Sequence, residues 1–259
     1  MNSQAISMKY RNTAHPVQNP GSQAAASSPS LWAVVPVKAL AGAKQRLKDC
    51  LGPYREDFTL AMLTDVLSGL ADSQALDGIA VVTCDQRVAA IAAQQGLMVV
   101  DEHSPAGLNA AIDQGFETVR RMGAGRVVIL PSDIPLLTGA ELDRLLAAFE
   151  TQAGKGCDRA IGISPSIDGS GTNCLIVGDR RGFTFQYGPD SFTNHRANAR
   201  AHQQNVFSLH SPTISLDIDE PKHVDELLAF CTRHPEFQRT ATWNFLHNTM
   251  GIEQQAEWA

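Results

Sequence analysis

Asp133 stands between Pro131 and Pro135, just past the aliphatic run Val127-Val128-Ile129-Leu130. Four consecutive large aliphatics, too short to cross a bilayer, read as a strand buried on both faces, and the acid follows where that strand leaves the core. The prolines stiffen the backbone on either side of the carboxylate. An acid held at the carboxyl end of a central strand suits a metal ion. The plainer role of capping the next helix is already filled, because Thr138 and Glu141 form a capping box for the apolar stripe Leu142, Leu145, Leu146 and Phe149. Asp217 and Asp219 fall at the end of a second expected strand, Ile214 to Ile218. Mg²⁺ needs only one or two carboxylates beside substrate phosphates and water, so Asp133, Asp217 and Asp219 are the expected metal ligands. Asp219 has a competing role as N-cap of the helix that starts at Glu220 or Pro221.

Anion chemistry is suggested at three other places. Lys38, Lys44 and Arg46 lie between the first strand and the first helix, where α/β folds hold phosphate, although the GxxxxGK[ST] spacing is absent. The stretches 167–173 and 187–191 set glycines beside hydroxyl and amide donors. His195 and Arg196 follow one turn into a polar helix over 190–202, where His195 reads as a packing or surface histidine. No Ser/His/Asp or Cys/His grouping is present. Phosphoryl-type transfer needs none when the attacking group is a phosphate monoester, since a second pKa of about 6 leaves it mostly dianionic at neutral pH.

The elements that would position these residues alternate. Strands are expected at 31–37, 79–83, 97–100 and 126–130. Helices between them are expected to carry Phe58, Met62 and Val66, then Val88, Ile91 and Ala92, then Ile112, Phe116 and Val119. Such alternation implies a parallel, doubly wound sheet. Past residue 155, expected strands at 159–164, 173–177 and 183–187 follow one another without helices, which makes the sheet mixed. The fold class is α/β, a single-domain three-layer α/β/α sandwich. Residues 1–30 read as a disordered extension, 31–231 as the domain, and 232–259 as a C-terminal extension. That extension is expected to dock on the domain or on a partner subunit, as in a homodimer.

With 43% hydrophobic residues in 259, the chain can bury a substantial core. A formal charge of −6 argues against a nucleic-acid partner. Five scattered cysteines, an odd number without metal-ligand spacing, read as reduced thiols. Apolar runs are too short for a membrane span, and the first thirty residues carry no secretion signal, so a cytoplasmic location is expected.

With these motifs in order, the chain from Trp32 to Leu228 resembles the 2-phospho-L-lactate guanylyltransferases of coenzyme F-420 (deazaflavin) biosynthesis. That family sits within the GT-A-like nucleotidyltransferases. The carriers are Val35-Pro36-Val37-Lys38 with Ala43 to Leu47, Gly107-Leu108-Asn109, Pro131 to Pro135, Gly169 to Thr172, Gly188 to Ser191 with His195-Arg196, and Asp217 to Pro221. The resemblance implies transfer of GMP from GTP to a phosphorylated three-carbon carboxylic acid (2-phospho-L-lactate, phosphoenolpyruvate or 3-phospho-D-glycerate), with release of pyrophosphate. It implies that Lys38, Lys44 and Asp133 are catalytic. Lys38, Lys44, Arg46, Gly107 and Asn109 would bind the nucleotide, and Thr172, Gly188 and Ser191 the acceptor, with Mg²⁺ on the three aspartates. Two alternatives stand beside it: a nucleotidyltransferase for another acceptor, such as molybdopterin or a sugar phosphate, and a GTP-binding regulatory module without turnover.

Overall fold

Strand β1 (Leu31–Pro36) turns Ala33 and Val35 to one face of a sheet and Val34 to the other, and all three are fully buried. The computed structural model describes residues 30–102, 106–154 and 158–251; all but Ser30 of the expected extension over 1–30, Cys157, and residues 252–259 of the expected C-terminal extension lie outside them. The one-turn α1 (Lys48–Leu51) and the long α2 (Arg55–Asp72) lead to β2 (Gly78–Thr83). Then come α3 (Gln86–Gln94), β3 (Met98–Asp101), α4 (Leu108–Arg121), β4 (Arg126–Ile129) and α5 (Gly139–Ala153). The second half runs β5 (Ala160–Pro165), β6 (Thr172–Val177), α6 (Ser191–Ala201), β7 (Asn205–Ser208), one-turn α7 (Pro212–Ser215), α8 (Pro221–Arg233) and α9 (Ala241–Asn248).

The seven strands lie in the order β3-β2-β1-β4-β6-β5-β7. Neighbours are parallel except that β6 runs antiparallel to both β4 and β5. Leu63, Val66 and Leu67 of α2, Val88 of α3 and Leu142 and Leu145 of α5 cover one face. Ile112, Phe116 and Val119 of α4 and Ala199 of α6 cover the other. The result is the three-layer mixed sandwich. A third cluster joins Leu51, Phe58 and Met62 to Val224, Leu227, Trp243 and Leu246, so α8 and α9 pack on α1 and α2.

Two expected strands are corrected. Residues 183–187 do not pair in the sheet, because three of their N–H groups are taken by side chains: Thr184 by Asn198 Oδ1 (3.0 Å), Gln186 by His195 Nε2 (2.8 Å) and Tyr187 by Asn109 Oδ1 (2.8 Å). The stretch 214–218 is α7 followed by extended backbone. Pro212 at the first turn and the Ser211 hydroxyl, which accepts from Ile214 N–H, start a helix there. The outer strand of that half is β7 instead.

Candidate active site

Because β2 and β4 lie on opposite sides of β1, the order of the sheet reverses between β1 and β4, the place where open α/β sheets bind ligands. The carboxyl ends of β1 and β4 and the amino end of antiparallel β6 meet at one edge. They line a cleft of about 350 Å³ together with the start of α4, whose N-terminus favours anions. Gly115 lets α4 lie close on the sheet, since a Cβ there would stand 2.6 Å from Val82 and 2.7 Å from Val34.

The turn after β1 is anchored by Asp85, which accepts from Leu40 N–H at 3.0 Å while capping α3. Lys44 adopts the left-handed conformation there (φ 50°), at a cost of about 1–2 kcal/mol for a residue with a side chain. The turn sends its ammonium inward. Lys44 Nζ donates to Asp133 Oδ2 at 2.5 Å and to Asp219 Oδ1 at 2.6 Å, and its side chain is only 7% exposed. Burial works against that charge, but the two carboxylates outweigh it and hold the lysine above its ordinary pKa. Asp219 is likewise opposed by burial, yet Lys44 keeps it below the usual carboxylate range. Ile218 N–H donates to the carbonyl of Asp133 at 3.0 Å, which joins the two acidic loops directly. Asp217 lines the same cleft and accepts from Asn173 Nδ2 at 2.9 Å; burial, then the charge of Asp133, pushes its pKa up.

The structure thus gathers Lys38, Lys44, Asp133, Thr172, Ser191, Asp217 and Asp219 in one cleft. Lys38 is exposed and has no ion pair among the described residues, which leaves its charge available to phosphate. Other expected residues stand apart. Arg46 pairs with Glu220 at 3.0 Å near the surface. Asn109 spends its amide on Tyr187, accepting from its N–H and donating to its carbonyl (2.8 and 3.0 Å), and so braces the loop before α6. Gly188 is an exposed turn residue whose carbonyl accepts from Ser191 N–H. Asp219 does not cap α8, since Glu220 occupies that position and His223 Nδ1 accepts from both N–H groups there. In 166–171 the hydroxyls of Ser166 and Ser170 donate inward to Asp168, holding its pKa down at about 2, rather than facing a ligand.

Among the described residues, no three His, Cys, Asp or Glu side chains are arranged to hold a metal ion. The aspartates do not form a ready triad because the Lys44 ammonium lies between Asp133 and Asp219, while Asn173 holds Asp217. Asp133 Oδ1, however, is buried without a hydrogen-bond partner.

The sequence reading missed the role of His195. It is fully buried, its Nδ1 lies 3.1 Å from Thr172 Oγ1, and burial lowers its pKa to about 4. The motif Gly188 to Arg196 carried the only signal, and it gave no partner.

A switch-point cleft with a basic turn on one wall and acidic loops on the other suits the phosphates of a nucleotide. A solved structure from Desulfovibrio desulfuricans, described as a nucleotide-diphospho-sugar transferase, shares the fold with a TM-score of 0.65. The match covers 85% of this chain and 95% of that one at 18% identity. The chain belongs to the CofC-like guanylyl transferase family, whose model matches residues 31–253. It is therefore a GTP-dependent nucleotidyltransferase. The phosphoenolpyruvate guanylyltransferase of Roseiflexus castenholzii is 40% identical over 82% of this chain and 93% of its own length. For the enzyme of the same name from Conexibacter woesei the figures are 36%, 76% and 87%. For the 2-phospho-L-lactate guanylyltransferase of Methanothermobacter thermautotrophicus they are 32%, 76% and 83%. Among the described residues, no helix is long and apolar enough to cross a membrane.

Proposed function

We propose that this guanylyltransferase transfers GMP from GTP to a phosphorylated three-carbon carboxylic acid. Such acids name the relatives, and the cleft pairs cations with hydroxyl donors suited to a small anion. An oxygen of the acceptor phosphate forms a bond to the α-phosphorus as the bond from that phosphorus to the bridging oxygen breaks. Pyrophosphate leaves with the electron pair. The dianionic nucleophile supplies its own electrons, so the protein's task is to align two anions that repel each other. Alignment of this kind is worth about 7–11 kcal/mol.

Lys38 takes the phosphates of the nucleotide. Lys44, kept protonated by its two carboxylates, stands where charge grows on the α-phosphoryl oxygens. Thr172 donates to the acceptor, and Ser191, whose hydroxyl donates to Thr172 Oγ1 at 3.3 Å, lines the same acceptor subsite. Asp133, Asp217 and Asp219 would hold Mg²⁺; the buried, unpartnered Asp133 Oδ1 favours a cation there. When bound there, Mg²⁺ would supply neutralisation of phosphate charge and polarisation of the α-phosphoryl group. The four described cysteines, Cys50, Cys84, Cys174 and Cys231, are free thiols, in keeping with a cytoplasmic location.

The observation that carries the reading is the Lys44 ammonium bridged to Asp133 and Asp219 beside the Thr172 and Ser191 hydroxyls. The test is mass spectrometry of products from GTP, Mg²⁺ and each of phosphoenolpyruvate, 2-phospho-L-lactate and 3-phospho-D-glycerate. A GMP conjugate of at least one acid is expected, and its formation is lost in Asp133→Asn. An enzyme that binds GTP yet yields no conjugate from any of the three overturns the acceptor class.

A further inference from the structure

A second hollow of about 300 Å³ opens beside the cleft and shares Pro36, Val37, Lys38, Gly42 and Leu108 with it. Its far wall holds Glu102 among largely apolar neighbours. Glu102 directly follows β3, where its N–H donates to the Thr83 carbonyl at 3.0 Å, so its backbone is fixed to the sheet. The residue is only 8% exposed. Among the described residues its side chain has neither a hydrogen bond nor an ion pair. A carboxylate that lines a hollow and has no donor in the protein is free to accept from a ligand that brings N–H groups.

We propose that Glu102 reads the base of the nucleotide and selects guanine; this rests on the GTP-dependent reading of the reaction above. Lys38 belongs to both hollows, whereas the three aspartates line only the first and Glu102 only the second. A nucleoside triphosphate with its phosphates against Lys38 and Lys44 therefore places its base in the second hollow. The chemistry of the Watson–Crick edges then decides which base fits. Guanine offers adjacent N1–H and N2–H₂ donors, which a carboxylate accepts in two parallel bonds. Adenine and cytosine each place an unprotonated ring nitrogen beside the amino group, and uracil flanks its single N–H with two carbonyls, so each turns at least one acceptor toward the acid. Gly42 and Gly107 line the hollow without a side chain of their own.

The test is calorimetric binding of GTP, inosine triphosphate and xanthosine triphosphate, without acceptor, to the wild-type enzyme and to Glu102→Gln. Losing one of two bonds to the acid, inosine triphosphate binds the wild type roughly 10-fold more weakly than GTP. In Glu102→Gln, GTP weakens by about 10- to 100-fold. Xanthosine triphosphate gains on GTP there, because the carboxamide N–H meets the C2 carbonyl while its oxygen still accepts from N1–H. Should the glutamine variant unfold, Glu102→Asp keeps the charge and must weaken GTP while still ranking it above xanthosine triphosphate. An unchanged ratio of GTP to xanthosine triphosphate in folded Glu102→Gln overturns the assignment, as does a Glu102→Asp variant without the preference. Tight GTP binding with no product from any acceptor would instead defeat the transfer reading and leave Glu102 standing.

Discussion

Nδ1 of His195 lies 3.1 Å from Oγ1 of Thr172, at the end of a chain of contacts that fixes where the threonine proton points. His195 Nε2 accepts from the N–H of Gln186 at 2.8 Å, so the ring proton sits on Nδ1 and is donated to Thr172. Ser191 Oγ donates to the same oxygen at 3.3 Å. With both lone pairs engaged, the Thr172 hydroxyl has only its own proton left, which it offers to the cleft. His195→Ala should raise the KM for the acceptor about 10-fold without moving the KM for GTP. Thr172→Val should do the same, and the double variant should be no worse than either single one. A parallel rise in both KM values would mean that His195 only supports the fold.

The same ring sets a pH dependence. Burial among Phe183 and Tyr187 lowers its pKa from 6.5 to about 4. Between these values the unfolded chain holds a proton that the folded chain rejects. The contribution of His195 to stability is therefore complete above about pH 6.5 and is lost as the pH falls toward 4. At 1.36 kcal/mol per pKa unit, the loss is roughly 3 kcal/mol at most. Urea unfolding at pH 7.5 and 5.0 should show this decline in the wild type and a flatter profile in His195→Ala. Equal slopes in the two proteins would rule it out.

The parts of the fold that sequence made legible are those whose signal is local. The runs in β1, β2 and β4 are buried on both faces, and a short aliphatic run has few other solutions in a soluble chain. The Thr138 cap is equally local, its hydroxyl accepting from Glu141 N–H at 3.2 Å. Stretch 183–187 failed for the opposite reason. Its alternating buried Phe183 and Phe185 look like a strand, but the groups that satisfy its backbone belong to Asn109, His195 and Asn198, which no periodicity reveals. In the site, acids and lysines announced themselves by type and position. The pairing of Lys44 with Asp219 across 175 residues did not. Glu102 carried no motif and is conspicuous only once its burial is known.

Lys44 offers a test that separates chemistry from scaffolding. In Lys44→Met the ammonium between Asp133 and Asp219 is gone, and with it a donor aimed at the reacting phosphate. The loss of kcat/KM should be on the order of 10²–10³-fold, the usual effect of deleting one preorganised donor. Binding of Mn²⁺ as a probe for Mg²⁺, followed by electron paramagnetic resonance, should hold or tighten, since a competing cation has been removed from two carboxylates. A variant that lost metal binding and turnover together would show that Lys44 merely shapes the acidic loops.

The carboxylate of Asp65, inside α2, caps a helix that arrives 176 residues later. It accepts from the N–H of Ala241 at 2.7 Å, from the N–H of Thr242 at 2.8 Å and from the Thr242 hydroxyl at 2.5 Å, all at the start of α9. Burial pushes its pKa up against the pull of these donors, so the three bonds are what keep a charged group at this depth. The cap also seats Trp243 and Leu246 in the cluster with Phe58 and Met62, none of which lines the cleft. Asp65→Ala should therefore cost roughly 2 kcal/mol or more of stability, because it strands buried donors at a helix N-terminus. Leu246→Ala should cost about 2–5 kcal/mol through lost packing. Both variants, assayed well below their melting temperatures, should keep the wild-type kcat and KM for GTP. A clear fall in kcat for either one would tie α9 to turnover rather than to holding α2 in place.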